Sequence, residues 1–168
     1  MSNHDPDEIL AVVDENDIVV GSASRLKVHD ECLLHRQVYV FVQNFKGDIL
    51  LQKRKDTERW GASASGHFSA NESYLEGAKR ELKEEIGLDA SEFEEVGYGL
   101  LDRENRRGRH RRFFKVYLVK SDSTDFVLEE NEVLEVNFFS RDKLLKILEN
   151  PKGVIMSSAI YLLKKYVL

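Results

Sequence analysis

The chain has 168 residues, of which 42% are hydrophobic and 33% charged, with a formal net charge of −5. That length suits a single domain, and a chain of this size buries enough surface to fold without a disulfide or metal staple. The acidic balance disfavours general affinity for nucleic acid or membrane surfaces, while leaving room for a local basic patch. No apolar run exceeds five residues, as in Ile9–Val13 and Val38–Val42, whereas a membrane span needs about 20. The acidic start at Ser2–Glu8 has no apolar signal-peptide core, and one cysteine, Cys32, suits a reducing compartment. A cytoplasmic location is expected.

In chain order, Ile9–Asp14 and Ile18–Ser22 are short apolar runs around Glu15-Asn16-Asp17, the pattern of a hairpin. Together with the residues up to 36 they form an N-terminal hairpin extension. Gln37–Gln43 and Ile49–Arg54 flank a turn with Gly47, a second hairpin. After the small-residue stretch Trp60–Ser65, helical spacing runs over Ser73–Ile86. Phe93–Leu101 and Arg112–Lys120 read as strands separated by the polar stretch Asp102–Arg111, and Val133–Phe139 alternates as a strand. Ser140 is placed to cap a helix over Arg141–Leu148, and Val154–Val167 reads as a last helix. The expectation is a mixed α/β sheet faced by helices, one domain over residues 1–168.

The 73–86 helix carries its own start and stop signals. Ser73 and Glu76 have the spacing of a capping box, and Gly87 stands where a left-handed residue ends a helix. Leu75, Ala78, Leu82 and Ile86 fall within about 80° of one another, a core stripe. Glu81, Glu84 and Glu85 share a neighbouring face at i+3 and i+4, where like charges repel. Two of them lie in the last turn, where the helix dipole also disfavours anions. A hard divalent cation such as Mg²⁺ or Mn²⁺, with oxygen ligands, would relieve that repulsion. A solvated acidic face paired with Lys79 and Arg80 is the alternative.

Residues 66–88 match the motif G-x5-E-x7-R-E-U-x-E-E-x-G-U at Gly66, Glu72, Arg80, Glu81, Leu82, Glu84, Glu85, Gly87 and Leu88. With this motif the chain resembles the Nudix hydrolases. The resemblance implies an α/β/α sandwich with a mixed central sheet, and a metal-dependent diphosphatase acting on a nucleoside diphosphate derivative or similar small molecule. It implies that Glu81, Glu84 and Glu85 hold Mg²⁺ or Mn²⁺, with the Gly66 carbonyl beside them. It also implies that Arg80 and Glu72 form an ion pair orienting helix and loop. A homodimer with the apolar Ile160–Leu168 end covered would suit such relatives.

The stretch from Val13 to Gly21, with Arg25, His29 and Leu33–Arg36, also resembles type 1 isopentenyl-diphosphate isomerases, which share the fold. Those enzymes use a cysteine two residues before a metal-binding histidine. Here Ser65 stands before Gly66 and His67, and a hydroxyl is a far poorer acid than a thiol. Their acidic ligands are also absent from the stretch at 112–120, which is basic or apolar. His29, His35 and His67 fall roughly where the isomerases place metal-binding imidazoles. An isomerase-like enzyme and a non-catalytic nucleotide- or RNA-binding module are therefore the alternatives.

Outside the motif, Asp102–Arg112 holds Arg103, Arg106, Arg107, Arg109, Arg111 and Arg112 with His110. It reads either as a solubilising hairpin tip or as an anion-gathering loop in which Arg107 and Arg109 bind substrate. With no aromatic platform beside it, nucleic acid is the weakest reading. Lys53, Arg54 and His67 are further candidates for substrate contact. The acidic turn Glu129–Glu132 could add a carboxylate, and Trp60 reads chiefly as core packing.

Overall fold

The computed structural model describes residues 6–105 and 108–168. Two short strands open the chain, β1 (Ile9–Val13) and β2 (Val19–Ser24), joined through Asp17 in the left-handed region. A six-residue helix, α1 (Arg25–Asp30), follows, capped by the Ser24 hydroxyl. Next come β3 (His35–Gln43), β4 (Ile49–Arg54), β5 (Trp60–Gly61), β6 (Ala64–His67) and α2 (Tyr74–Ile86). The remainder is β7 (Glu94–Asn105), β8 (Gly108–Lys120), β9 (Val133–Phe139), α3 (Arg141–Glu149), α4 (Ser157–Leu162) and a π-helical turn at Leu163–Val167.

All nine strands among the described residues join one mixed sheet. β3 is its hub, antiparallel to β1, β4 and β6 and parallel to β8 from His35↔Arg112 to Gln43↔Lys120. Strand alternation then sorts β3 between two cores. Val38, Val40 and Val42 pack with Ala78, Leu82 and Ile86 of α2. Tyr39 and Phe41 pack with Leu144 of α3 and Ala159 and Leu162 of α4. The architecture is α/β, with helices on both faces of a mixed sheet, as expected. The N-terminal hairpin belongs to that sheet, because β1 pairs both β2 and β3.

Four local expectations change. α1 was not anticipated; six residues carry too little periodicity to mark a helix. β7 runs on to Asn105 and β8 begins at Gly108 as hairpin arms, with Asp102↔Arg111 and Glu104↔Arg109 opposite each other. There, opposite charges across the ladder replace apolar alternation. The C-terminal segment divides into α4 and the π turn instead of one helix over 154–167. Leu75 is 38% exposed, and Tyr74 takes the inward place at the start of α2. No helix among the described residues is long and apolar enough to cross a membrane.

Candidate active site

The site begins with the way α2 is fixed. The Ser73 hydroxyl accepts from the Glu76 N–H while the Glu76 carboxylate accepts from the Ser73 N–H, a closed capping box. At the far end Gly87 adopts φ +71°, and Val127 packs so closely that a Cβ there would overlap it. Between these ends Leu82 and Ile86 are fully buried, which holds the rotation of the helix and aims Glu81 and Glu85 inward.

Arg80 ties the motif together. Its Nε donates to Glu72 Oε1 at 2.8 Å, and its Nη1 donates to both Glu81 and Glu84 at 2.9 Å. Its Nη2 donates to the His67 carbonyl at 3.1 Å. One planar guanidinium thus joins helix, preceding loop and β6. Burial opposes ionisation of Glu72, but the Arg80 and Ser69 N–H hydrogen bonds prevail and hold its carboxyl below the usual range. Gly66 faces the Glu81 carboxylate so closely that any side chain would collide with it.

The two inward glutamates carry unusual charge. Burial pushes Glu81 up to about 7 despite the Arg80 guanidinium. Burial, then the neighbouring Glu81, push Glu85 up to about 8. Glu85 Oε2 accepts from Gln52 Nε2 and from the Ser65 N–H, each at 2.8 Å. Its Oε1 is buried without a hydrogen bond, 3.9 Å from Arg54 Nη1. Buried carboxylates with an unsatisfied oxygen and too little positive charge are the donor set a hard cation completes. These residues fit the metal ion that the motif implies.

On the other face of the sheet, His29, His35 and His67 converge, with ring centroids 4.9–5.5 Å apart and ligating atoms all within 4.8 Å. His35 Nδ1 meets the Leu33 carbonyl at 2.9 Å, which leaves Nε2 for the cluster. That Nε2 and both nitrogens of His67 are buried without hydrogen bonds. Burial foremost, with nearby Arg25 among the cations, lowers His29 to about 4. Burial likewise lowers His35 to about 3 and His67 well below its usual value, with Arg25 and Arg112 contributing. The imidazoles are therefore neutral and able to ligate a borderline metal such as Zn²⁺.

A cavity of about 350 Å³ is bounded by Arg25, Gln52, Arg54, Ser65, His67 and Arg112 among others, so that it reaches both His67 of the imidazole cluster and Gln52 and Ser65, which hold Glu85. Of the residues expected to touch substrate, Arg54 and His67 line it. Lys53 instead lies 3.2 Å from Glu135 and over the Trp60 ring. Arg109 is exposed and forks onto Asp102, and Arg111 pairs with Glu15. Neither arginine is brought to the cavity. Arg106 and Arg107 lie outside the described residues. Trp60 packs edge-on against Phe139, as core packing requires.

Among the other lining residues, Gln52, Arg112 and Arg25 lie outside the substrate contacts expected from the sequence. Gln52 breaks an apolar run, a polar residue that is 1% exposed. Arg112 shares strand parity with buried Phe114 and Val116, which marks it as inward-facing. Arg25 stands out in the sequence only as part of the isomerase-like stretch, which assigns it no contact.

A NUDIX domain model matches residues 33–158. The uncharacterised Nudix hydrolase YfcD of Escherichia coli is 32% identical over 142 residues, covering 82% of this chain and 76% of that protein. An isopentenyl-diphosphate Δ-isomerase of Photorhabdus laumondii is 41% identical over 88 residues, 49% of this chain and 50% of its own. The crystal structure of DR0079 from Deinococcus radiodurans superposes with a TM-score of 0.77 over 96% of this chain and 100% of its own, at 20% identity. The chain belongs to the Nudix hydrolase family, and its N-terminal half is similar to the isomerase branch.

Proposed function

We propose that the protein is a Mg²⁺- or Mn²⁺-dependent diphosphatase of small molecules, with Glu81, Glu84 and Glu85 holding the ion beside the Gly66 carbonyl. The observation that carries this reading is the pair of buried carboxylates at Glu81 and Glu85, the second with an oxygen that has no hydrogen bond, set against a glycine that leaves no room for a side chain. When bound, a divalent cation supplies charge for the phosphoryl oxygens and lowers the pKa of a water. Arg80 holds Glu72, Glu81 and Glu84 in register. Gln52 and the Ser65 N–H orient Glu85 toward the ion. Arg54, within 3.9 Å of Glu85, is placed to meet a phosphate oxygen. Phosphate release from a panel of diphosphates, with and without metal, is the test. Glu84→Gln and Glu85→Gln are each expected to lower kcat by at least about 100-fold. Full activity in either variant would end the assignment.

The histidine cluster favours a second reading, an isomerase-like activity at a metal held by His29, His35 and His67. Ser65 weighs against it, because no thiol stands at the position from which the isomerases donate a proton. Incubation with isopentenyl diphosphate separates the readings: the allylic isomer supports the second, inorganic phosphate released together with isopentenyl monophosphate the first.

A further inference from the structure

The cavity has a second charged end that the diphosphatase reading does not use. Arg112 stands opposite His35 in the parallel β3–β8 register, on the sheet face away from α2. Its Nη2 donates to the Tyr39 hydroxyl at 3.3 Å, and that hydroxyl donates onward to Gln37 at 2.8 Å. Arg112 Nε is buried with no hydrogen bond. Among the described residues no carboxylate lies within ion-pair distance of it. Arg25, from α1, lines the same cavity with its side chain 15% exposed, fixed by Glu8 at 2.8 Å. Three arginines line the cavity against one acid, Asp56, and that acid pairs with Arg54.

A half-buried guanidinium whose Nε is sealed from water and which has no carboxylate partner is costly, and its fork matches the oxygens of a phosphate. The two fixed charges beside the imidazoles also count against a bare dication at that end. Among the described residues lining the cavity no Phe, Tyr or Trp face is open for a base to stack on, since Tyr39 is 3% exposed and meets Phe114 edge-on in the core. We infer that Arg112, assisted by Arg25, seats a second phosphate group of the substrate, at the end of the cavity away from Glu84. The substrate class is then a diphosphate that carries a separate phosphate monoester. The inference rests on the diphosphatase reading for the chemistry at the other end, but the anion seat itself is measurable without turnover.

The probe is inorganic phosphate, titrated calorimetrically into the full chain in EDTA. Wild type is expected to bind one phosphate saturably. Arg112→Gln and Arg25→Gln should each weaken binding about tenfold or more, with Arg112→Lys intermediate because it keeps the charge and loses the fork. Glu84→Gln should bind phosphate as wild type does, so failure at the catalytic end leaves this result intact. Among hydrolysed diphosphates matched with and without a distal phosphate, Arg112→Gln should cut the kcat/KM preference for the phosphorylated member by about tenfold. The inference falls if wild type shows no saturable binding, if Arg112→Gln binds unchanged, or if Arg54→Gln alone abolishes binding, which would put the anion at the catalytic end.

Discussion

Asp17 concentrates more contacts than any pattern in its neighbourhood suggests. It sits at φ +61° in the first hairpin, where Asn and Asp are tolerated better than most residues. Its carboxylate accepts from Arg36 Nε at 2.7 Å, from Tyr74 at 2.9 Å and from Tyr98 at 3.3 Å. Burial, then the Asp17 charge, push the Tyr74 hydroxyl up, so it remains a donor. The contact pins the hairpin extension to the first turn of α2. Asp17→Asn keeps the backbone conformation and its carbonyl as an acceptor for Arg36 but removes the counter-charge from that half-buried guanidinium, a cost of about 1.5–3 kcal/mol. A denaturation midpoint equal to wild type would show that the network contributes nothing. Gly66→Ala is the sharper residue test, because its methyl must displace Glu81. Metal-supported activity should fall far more than the midpoint of unfolding does, and parallel losses would point to general misfolding instead.

At the scale of elements, α2 was legible because its signals are local. Capping box, apolar stripe and terminal glycine lie within fifteen residues and need no partner to be recognised. Ser73→Ala removes the hydroxyl arm of the box and the hydroxyl's 2.7 Å bond to the Glu76 carboxylate, leaving only the backbone N–H arm. About 1 kcal/mol of stability should be lost, read as a shift in midpoint at constant slope in urea. Where the helix rolls onto the sheet was less legible, and Tyr74 instead of Leu75 turns inward because Phe68 and Asp17 await it. The β7–β8 arms were misread for a related reason. Strands solvated on both faces lose apolar alternation, and only the pairing of Asp102 with Arg109 and Arg111 reveals them.

For the whole molecule, two sets of buried groups oppose each other in pH dependence. His29, His35 and His67 titrate lower folded than unfolded, so the unfolded chain binds more protons and stability rises from about pH 3 to about pH 6.5. Glu81 and Glu85 titrate higher folded than unfolded, so the folded chain holds more protons and stability falls from about pH 4.5 to about pH 8. Above about pH 6.5 only the glutamate contribution still changes. Metal-free protein should therefore be most stable slightly acid of neutral and weaken towards pH 8. Mg²⁺ should remove that decline by favouring the ionised carboxylates. Denaturation midpoints across this range, in EDTA and in Mg²⁺, test both parts, and a flat metal-free profile would contradict the buried carboxylates.

The sequence by itself determined most of the strands in chain order, the capped helix and the family, together with Arg80, Glu81, Glu84 and Glu85 as a linked set. All of these rest on spacings within one element or on adjacent turns, which the chain displays before it folds. It also supplied the Glu72–Arg80 pair, only eight residues apart. Tertiary structure alone decided that His29, His35 and His67 converge, that Gln52 and the Ser65 N–H grip Glu85, and that Arg112 rather than Arg109 faces the cavity. Those contacts join β3, β4, β6, β8 and α1, and their geometry follows from strand register. A shift of one residue would turn each side chain to the opposite face of the sheet.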